Sequence, residues 1–136
     1  MENLIKEFYK TIEAYGVSKE STLKLEYEDG VVGVDIGEEL DDNSVRYNTV
    51  FFEEVEDGTE VNVVVQKKLE SKNELEILRT INKLNSNYSG VKFYTTLDCD
   101  CVYAEIFVPL CEDVVFIINA LTECRDVASI EFVKFK

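Results

Sequence analysis

The stretch that decides the fold runs from residue 23 to residue 66: LKLEYEDGVVGVDIGEELDDNSVRYNTVFFEEVEDGTEVNVVVQ. Leu23, Leu25 and Tyr27 alternate with Lys24, Glu26 and Glu28, the period of two that sends successive side chains to opposite faces of a strand. Asp29-Gly30 follows, a dipeptide suited to a two-residue hairpin turn. Val32, Val34 and Ile36 resume the alternation, and the polar run from Gly37 to Ser44 reads as a loop. Val45 to Glu54 forms a third strand, with Val45, Tyr47, Thr49 and Phe51 on one face. Asp57-Gly58 marks a second hairpin turn. Val61, Val63 and Val65 then alternate with Asn62, Val64 and Gln66. Four antiparallel strands in a meander are therefore predicted. Gly33 interrupts this pattern and predicts a bulge or a close backbone approach.

Before the meander, Leu4, Ile5, Phe8, Ile12 and Tyr15 recur at helical spacing. Gly16 stands where a helix-ending glycine belongs. After the meander, Ser71 and Glu74 read as a capping box, followed by the apolar stripe Leu75, Leu78, Ile81 and Leu84. Val91 to Leu97 and Cys101 to Val108 make a third hairpin, which Pro109 ends. Glu112 and Asp113 open a third helix, where their charge favours the helix dipole, and Val114, Ile117, Ile118 and Leu121 follow. A weaker pattern over Ile130, Phe132 and Phe135 allows a short C-terminal strand. The order α-ββββ-α-ββ-α predicts an α+β domain spanning 1–136, an antiparallel meander sheet with three helices.

Composition narrows the function. The 136 residues include 28 acidic and 14 basic side chains, for a net charge of −14, and no histidine. Histidine-based triads, zinc sites and pH switches are thereby excluded. The charge argues against direct binding to nucleic acid or to anionic membranes. No apolar run resembles a signal-peptide core or a membrane span, which predicts a cytoplasmic protein. Cys99, Cys101, Cys111 and Cys124 then read as free thiols.

The acid is concentrated. Residues 20–60 hold 14 acidic and two basic residues, so that −12 of the −14 lies on the meander. Glu38, Glu39, Asp41 and Asp42 crowd one loop, and Glu53, Glu54, Glu56 and Asp57 crowd one hairpin end. Charges this close still repel at physiological salt. Solubility accounts for such a face. So does docking of a basic partner, which a negative field attracts. Imitation of a nucleic-acid backbone is a third reading.

No catalytic motif stands out, and no cofactor or metal is expected. Asp98-Cys99-Asp100-Cys101 is the most unusual string. Its C-x-C spacing lacks the further ligands that a structural zinc site requires, and aspartates at a hairpin tip bond their own turn. Cys111 and Cys124 read as packing residues. The acidic clusters lack the spacing of a calcium-binding helix–loop–helix. In the third helix, Val115 and Phe116 are apolar where a one-sided helix carries polar residues. Either the helix is buried between layers or these residues meet another chain.

Residues 61–121 resemble the YbjN-like family and, more broadly, the type III secretion chaperone-like fold. The resemblance rests on Leu84-Asn85 closing the second helix, Gly90-Val91-Lys92-Phe93-Tyr94 opening the hairpin, and Val102 to Pro109 leading into the third helix. It implies a small, acidic, homodimeric protein that is not an enzyme and holds a segment of a partner protein. The expectation is a non-enzymatic protein-binding module using the acidic face, Val115 and Phe116. The alternative is a nucleic-acid-mimicking inhibitor of a basic enzyme.

Overall fold

The computed structural model describes residues 1–40, 45–70 and 73–135. Its helices are α1 (Glu2–Ala14), α2 (Glu74–Asn87) and α3 (Val114–Glu131). Its strands are β1 (Thr22–Glu26), β2 (Val32–Glu39), β3 (Val45–Val55), β4 (Gly58–Lys68), β5 (Lys92–Thr95) and β6 (Cys101–Val108). All six strands join one antiparallel sheet in the order β1-β2-β3-β4-β6-β5. The predicted α+β class and meander are observed.

The period-two pattern becomes rows of facing residues. Val34 lies opposite Val50, which lies opposite Val63. Val32, Phe52, Val61 and Val108 form the next row. Val65, Ala104 and Phe93 extend a third toward β5. The helices cover this face, with Leu4, Ile5, Phe8 and Ile12 from α1, Ile77, Ile81 and Leu84 from α2, and Ile117, Ala120, Leu121, Cys124 and Ala128 from α3. The Phe8 ring meets Phe52 edge-on at 5.8 Å. Phe8, Phe52 and Phe93 are fully enclosed, so truncating any one to alanine costs about 3–5 kcal/mol.

The opposite face of the sheet carries Leu23, Tyr47, Phe51, Asn62 and Phe107, and among the described residues no helix covers it, with Leu23, Tyr47 and Phe107 about half exposed. Here Gly33 has its role. A Cβ at that position would lie 3.3 Å from the Phe51 ring, and the pairing of Gly33 with Leu25 and Phe51 runs without interruption. Of the two expectations, close approach is observed and a bulge is not.

Local signals explain most boundaries. Gly16 takes φ +93°, its N–H reaches the Glu13 carbonyl at 2.9 Å, and the Val17 N–H reaches Ile12 at 2.9 Å. That pairing satisfies two orphan carbonyls at the end of α1. Asp113 caps α3, its carboxylate accepting from the Val115 N–H at 3.0 Å. Asn85, at the end of α2, grips β5 from the side. Its amide accepts from the Phe93 N–H at 2.8 Å and donates to the Phe93 carbonyl at 2.9 Å.

Four expectations need correction. The strand β2 continues through Glu39, into the stretch expected as loop, because Glu38 pairs with Arg46 and Glu39 with Val45. Asn73 rather than Ser71 caps α2, accepting from the Glu76 N–H at 3.3 Å; Ser71 lies outside the described residues. With that start, Ile77, Ile81 and Leu84 face the core while Leu75 and Leu78 are exposed. The C-terminal strand is replaced by the last turn of α3 and a 3-10 turn at Phe132–Lys134. Phe132 there packs edge-on against Phe93 at 6.5 Å, so apolar spacing read as strand serves a helix end. Among the described residues, no helix is long and apolar enough to cross a membrane.

Candidate functional site

The structure divides the predicted acidic face in two. Glu53, Glu54, Glu56 and Asp57 stand exposed at the β3–β4 tip. Residues 53–60 include five acids and no base, and Glu53 lies directly opposite Glu60. Like charges facing each other across strands destabilise the pair.

The connection from β6 to α3 runs beside this tip. The Cys111 N–H donates to the Thr59 carbonyl at 2.7 Å. A Cβ at Gly58 would lie 3.7 Å from Leu110 Cδ2. Leu110 is half exposed and takes φ +48°, a left-handed backbone that costs a leucine roughly 1–2 kcal/mol. Val115 and Phe116 follow in the first turn of α3, 47% and 55% exposed. Of the two readings of this helix, burial between layers does not hold for these two side chains. The chain thus brings five carboxylates and three exposed apolar residues to one end of the sheet.

Glu38 belongs elsewhere. It lies at the far end of β2, on the helix-covered face, and is held by three side chains. Arg46 donates from Nη2 at 2.9 Å and Nε at 3.3 Å. Arg125 of α3 donates from Nη2 at 2.7 Å and Nε at 3.3 Å. Asn48 donates at 3.2 Å. Burial alone would raise the Glu38 pKa; the hydrogen bonds from Arg125, Arg46 and Asn48 outweigh it and lower the carboxyl to about 2. Glu38 is therefore a neutralised structural anion rather than part of a free acidic surface. Glu39 is exposed beside it. Asp41 and Asp42 lie outside the described residues.

Sequence reasoning did not single out Arg46, Asn48 or Arg125. One signal was present: Arg46 is one of two bases in the −12 segment and keeps strand period with the buried Val50 and Phe52. A cation on the inward face of an acidic meander calls for an inward carboxylate.

The cysteine hairpin reads as structure. Cys99 is buried with φ +54°, and the Thr96 hydroxyl donates to the Asp98 carboxylate, which fits turn-forming aspartates. Among the described residues, no group of cysteines and carboxylates is placed to hold a metal ion. All four cysteines are unpaired. Burial pushes the Cys124 thiol up to about 12, and it donates to the Ala104 carbonyl, as a packing residue does. No protein-family model, curated protein or solved structure matches the chain.

Proposed function

We propose that this protein is a non-enzymatic binding module that holds a segment of a different protein at the end formed by the β3–β4 tip, Leu110 and the first turn of α3. The observation that carries the reading is the juxtaposition of five carboxylates with exposed Leu110, Val115 and Phe116. A segment that mixes lysine or arginine with apolar side chains fits both. Its cations meet the carboxylates of the tip, and its apolar residues cover the helix start.

Charge also argues for a different protein over a second copy at this end. Two copies meeting here would bring five carboxylates against five. Self-association, if sought, belongs on another surface. The reading draws as well on the resemblance of residues 61–121 to YbjN-like and secretion chaperone-like proteins. A reducing, cytoplasmic setting suits four unpaired thiols. The nucleic-acid-mimic alternative rests on the same acids, but it has less support. The acids stand in two separated groups, and Glu38 is already neutralised by arginines.

The test is affinity purification from native lysate at low and high salt. The full chain is compared with Val115→Ser plus Phe116→Ser and with Glu56→Lys plus Asp57→Lys. These positions are exposed, so the fold is expected to lose less than about 0.5 kcal/mol. A protein retained by the parent at low salt and lost with either pair supports the proposal. Equal recovery with all three baits refutes it. A basic nucleic-acid enzyme lost only with the lysine pair favours mimicry.

A further inference from the structure

A cleft of about 620 Å³ opens between the end of α1 and the middle of α3, above the far end of β2. It lies at the opposite end of β2 and β3 from the acidic tip. Its volume falls within the roughly 300–1,000 Å³ of small-molecule sites. Ile36, Glu38 and Asn48 come from the sheet, Ile12 from α1, and Ile118, Leu121 and Arg125 from α3.

Three features define what would fit. The isoleucine and leucine side chains offer an apolar wall. Glu38 and Arg125 are the charged side chains that line the cleft, and Glu38 divides its charge between Arg125 and Arg46, which lies outside the lining. Glu38 occupies Nε and Nη2 of Arg125; among the described residues, its Nη1 has no partner, and the side chain is 43% exposed. The third feature is an orphan. Asn48 is 2% exposed, its Nδ2 donates to the Ile36 carbonyl at 3.3 Å and to Glu38, and among the described residues its Oδ1 has no hydrogen-bond partner. A buried acceptor left without a donor is costly, and a ligand N–H or O–H would remove that cost.

We propose that this cleft binds a small amphipathic carboxylate: an apolar ring system against the aliphatic wall, the carboxylate on Arg125, and one N–H or O–H donor for Asn48 Oδ1. The anion is recognised by charge-assisted hydrogen bonds at the guanidinium edge that Glu38 leaves open. Glu38 itself acts as a positioning residue, fixing the Arg125 fork.

Calorimetric titration of the full chain with three related probes tests this. Indole-3-acetate carries rings, carboxylate and ring N–H. Naphthalene-1-acetate lacks the N–H, and indole-3-acetamide lacks the charge. The expected result is saturable one-to-one binding of indole-3-acetate, with each of the other two weaker by about tenfold or more. Arg125→Gln should weaken indole-3-acetate by at least about tenfold. Thr122→Trp, which places an indole on the cleft wall, should abolish binding while the circular dichroism spectrum is retained. Absence of binding up to about 1 mM indole-3-acetate, equal affinity for the three probes, or affinity unchanged by both substitutions would overturn the proposal.

Discussion

Glu38→Gln removes the charge from the most heavily bonded carboxylate described above while keeping its shape. The carboxylate accepts from Arg46, Arg125 and Asn48. The Arg46 side chain is 5% exposed, so the substitution leaves a buried guanidinium uncompensated, a loss of about 3–5 kcal/mol for a buried pair. The pKa gives an independent measure. A drop from 4.5 to about 2 corresponds to roughly 3 kcal/mol at about 1.4 kcal/mol per unit. Because the Glu38 side chain is 27% exposed, solvent trims this to about 2–3 kcal/mol. Urea unfolding followed by circular dichroism at pH 7 should therefore show a midpoint lower by roughly 1–2 M, with unchanged slope. The sign against pH follows from a depressed folded-state pKa. The stabilisation is complete above the unfolded value of 4.5 and fades as pH falls through about 2. Parent and variant should differ fully at neutral pH and converge near pH 2, where a protonated glutamic acid resembles glutamine. A loss under about 1 kcal/mol, or a difference that does not shrink in acid, would refute the reasoning.

Three further predictions concern other parts of the molecule. Asn85→Ala removes two hydrogen bonds to the Phe93 backbone and should cost about 1–3 kcal/mol, seen first as faster hydrogen exchange at the Phe93 amide. Iodoacetamide mapping of the native protein at pH 8 should label the half-buried Cys101 first and leave the buried Cys124 untouched until urea is added, because burial has pushed that thiol up to about 12. Raising NaCl from about 0.05 to about 0.5 M should raise the melting temperature by a few degrees, since screening relieves the exposed acids more than it weakens the partly buried Glu38 pairs. A fall in melting temperature would show that ion pairs outweigh repulsion.

The sheet was legible because its signals are local. Alternating Val32, Val34, Val50, Val61, Val63 and Val65 name their own buried face, and Asp29-Gly30 and Asp57-Gly58 mark their own turns. The errors arose where a distant residue decides. Gly37 to Leu40 is polar enough to read as loop; pairing with β3 keeps Glu38 in a strand, and Arg125, 87 positions away, ties it to the helix above. Ile130 and Phe132 have strand spacing, yet Phe93 draws Phe132 into a helix end. The candidate binding end was half legible: acids at the hairpin tip and apolar residues in the third helix were both visible. Their meeting depends on the Cys111–Thr59 hydrogen bond and on the left-handed Leu110, for which the string Pro109-Leu110-Cys111 carries no local signal.

The grip of Asn85 on Phe93 also bears on assembly. A sheet with an unpaired outer strand invites a neighbour to dock on its free main-chain groups and propagate a fibre. On β5 the N–H and C=O of Phe93, the pair an incoming chain would need midway along that short strand, are already spent on a side-chain amide. A molecule adding a strand at that flank would first have to displace one asparagine.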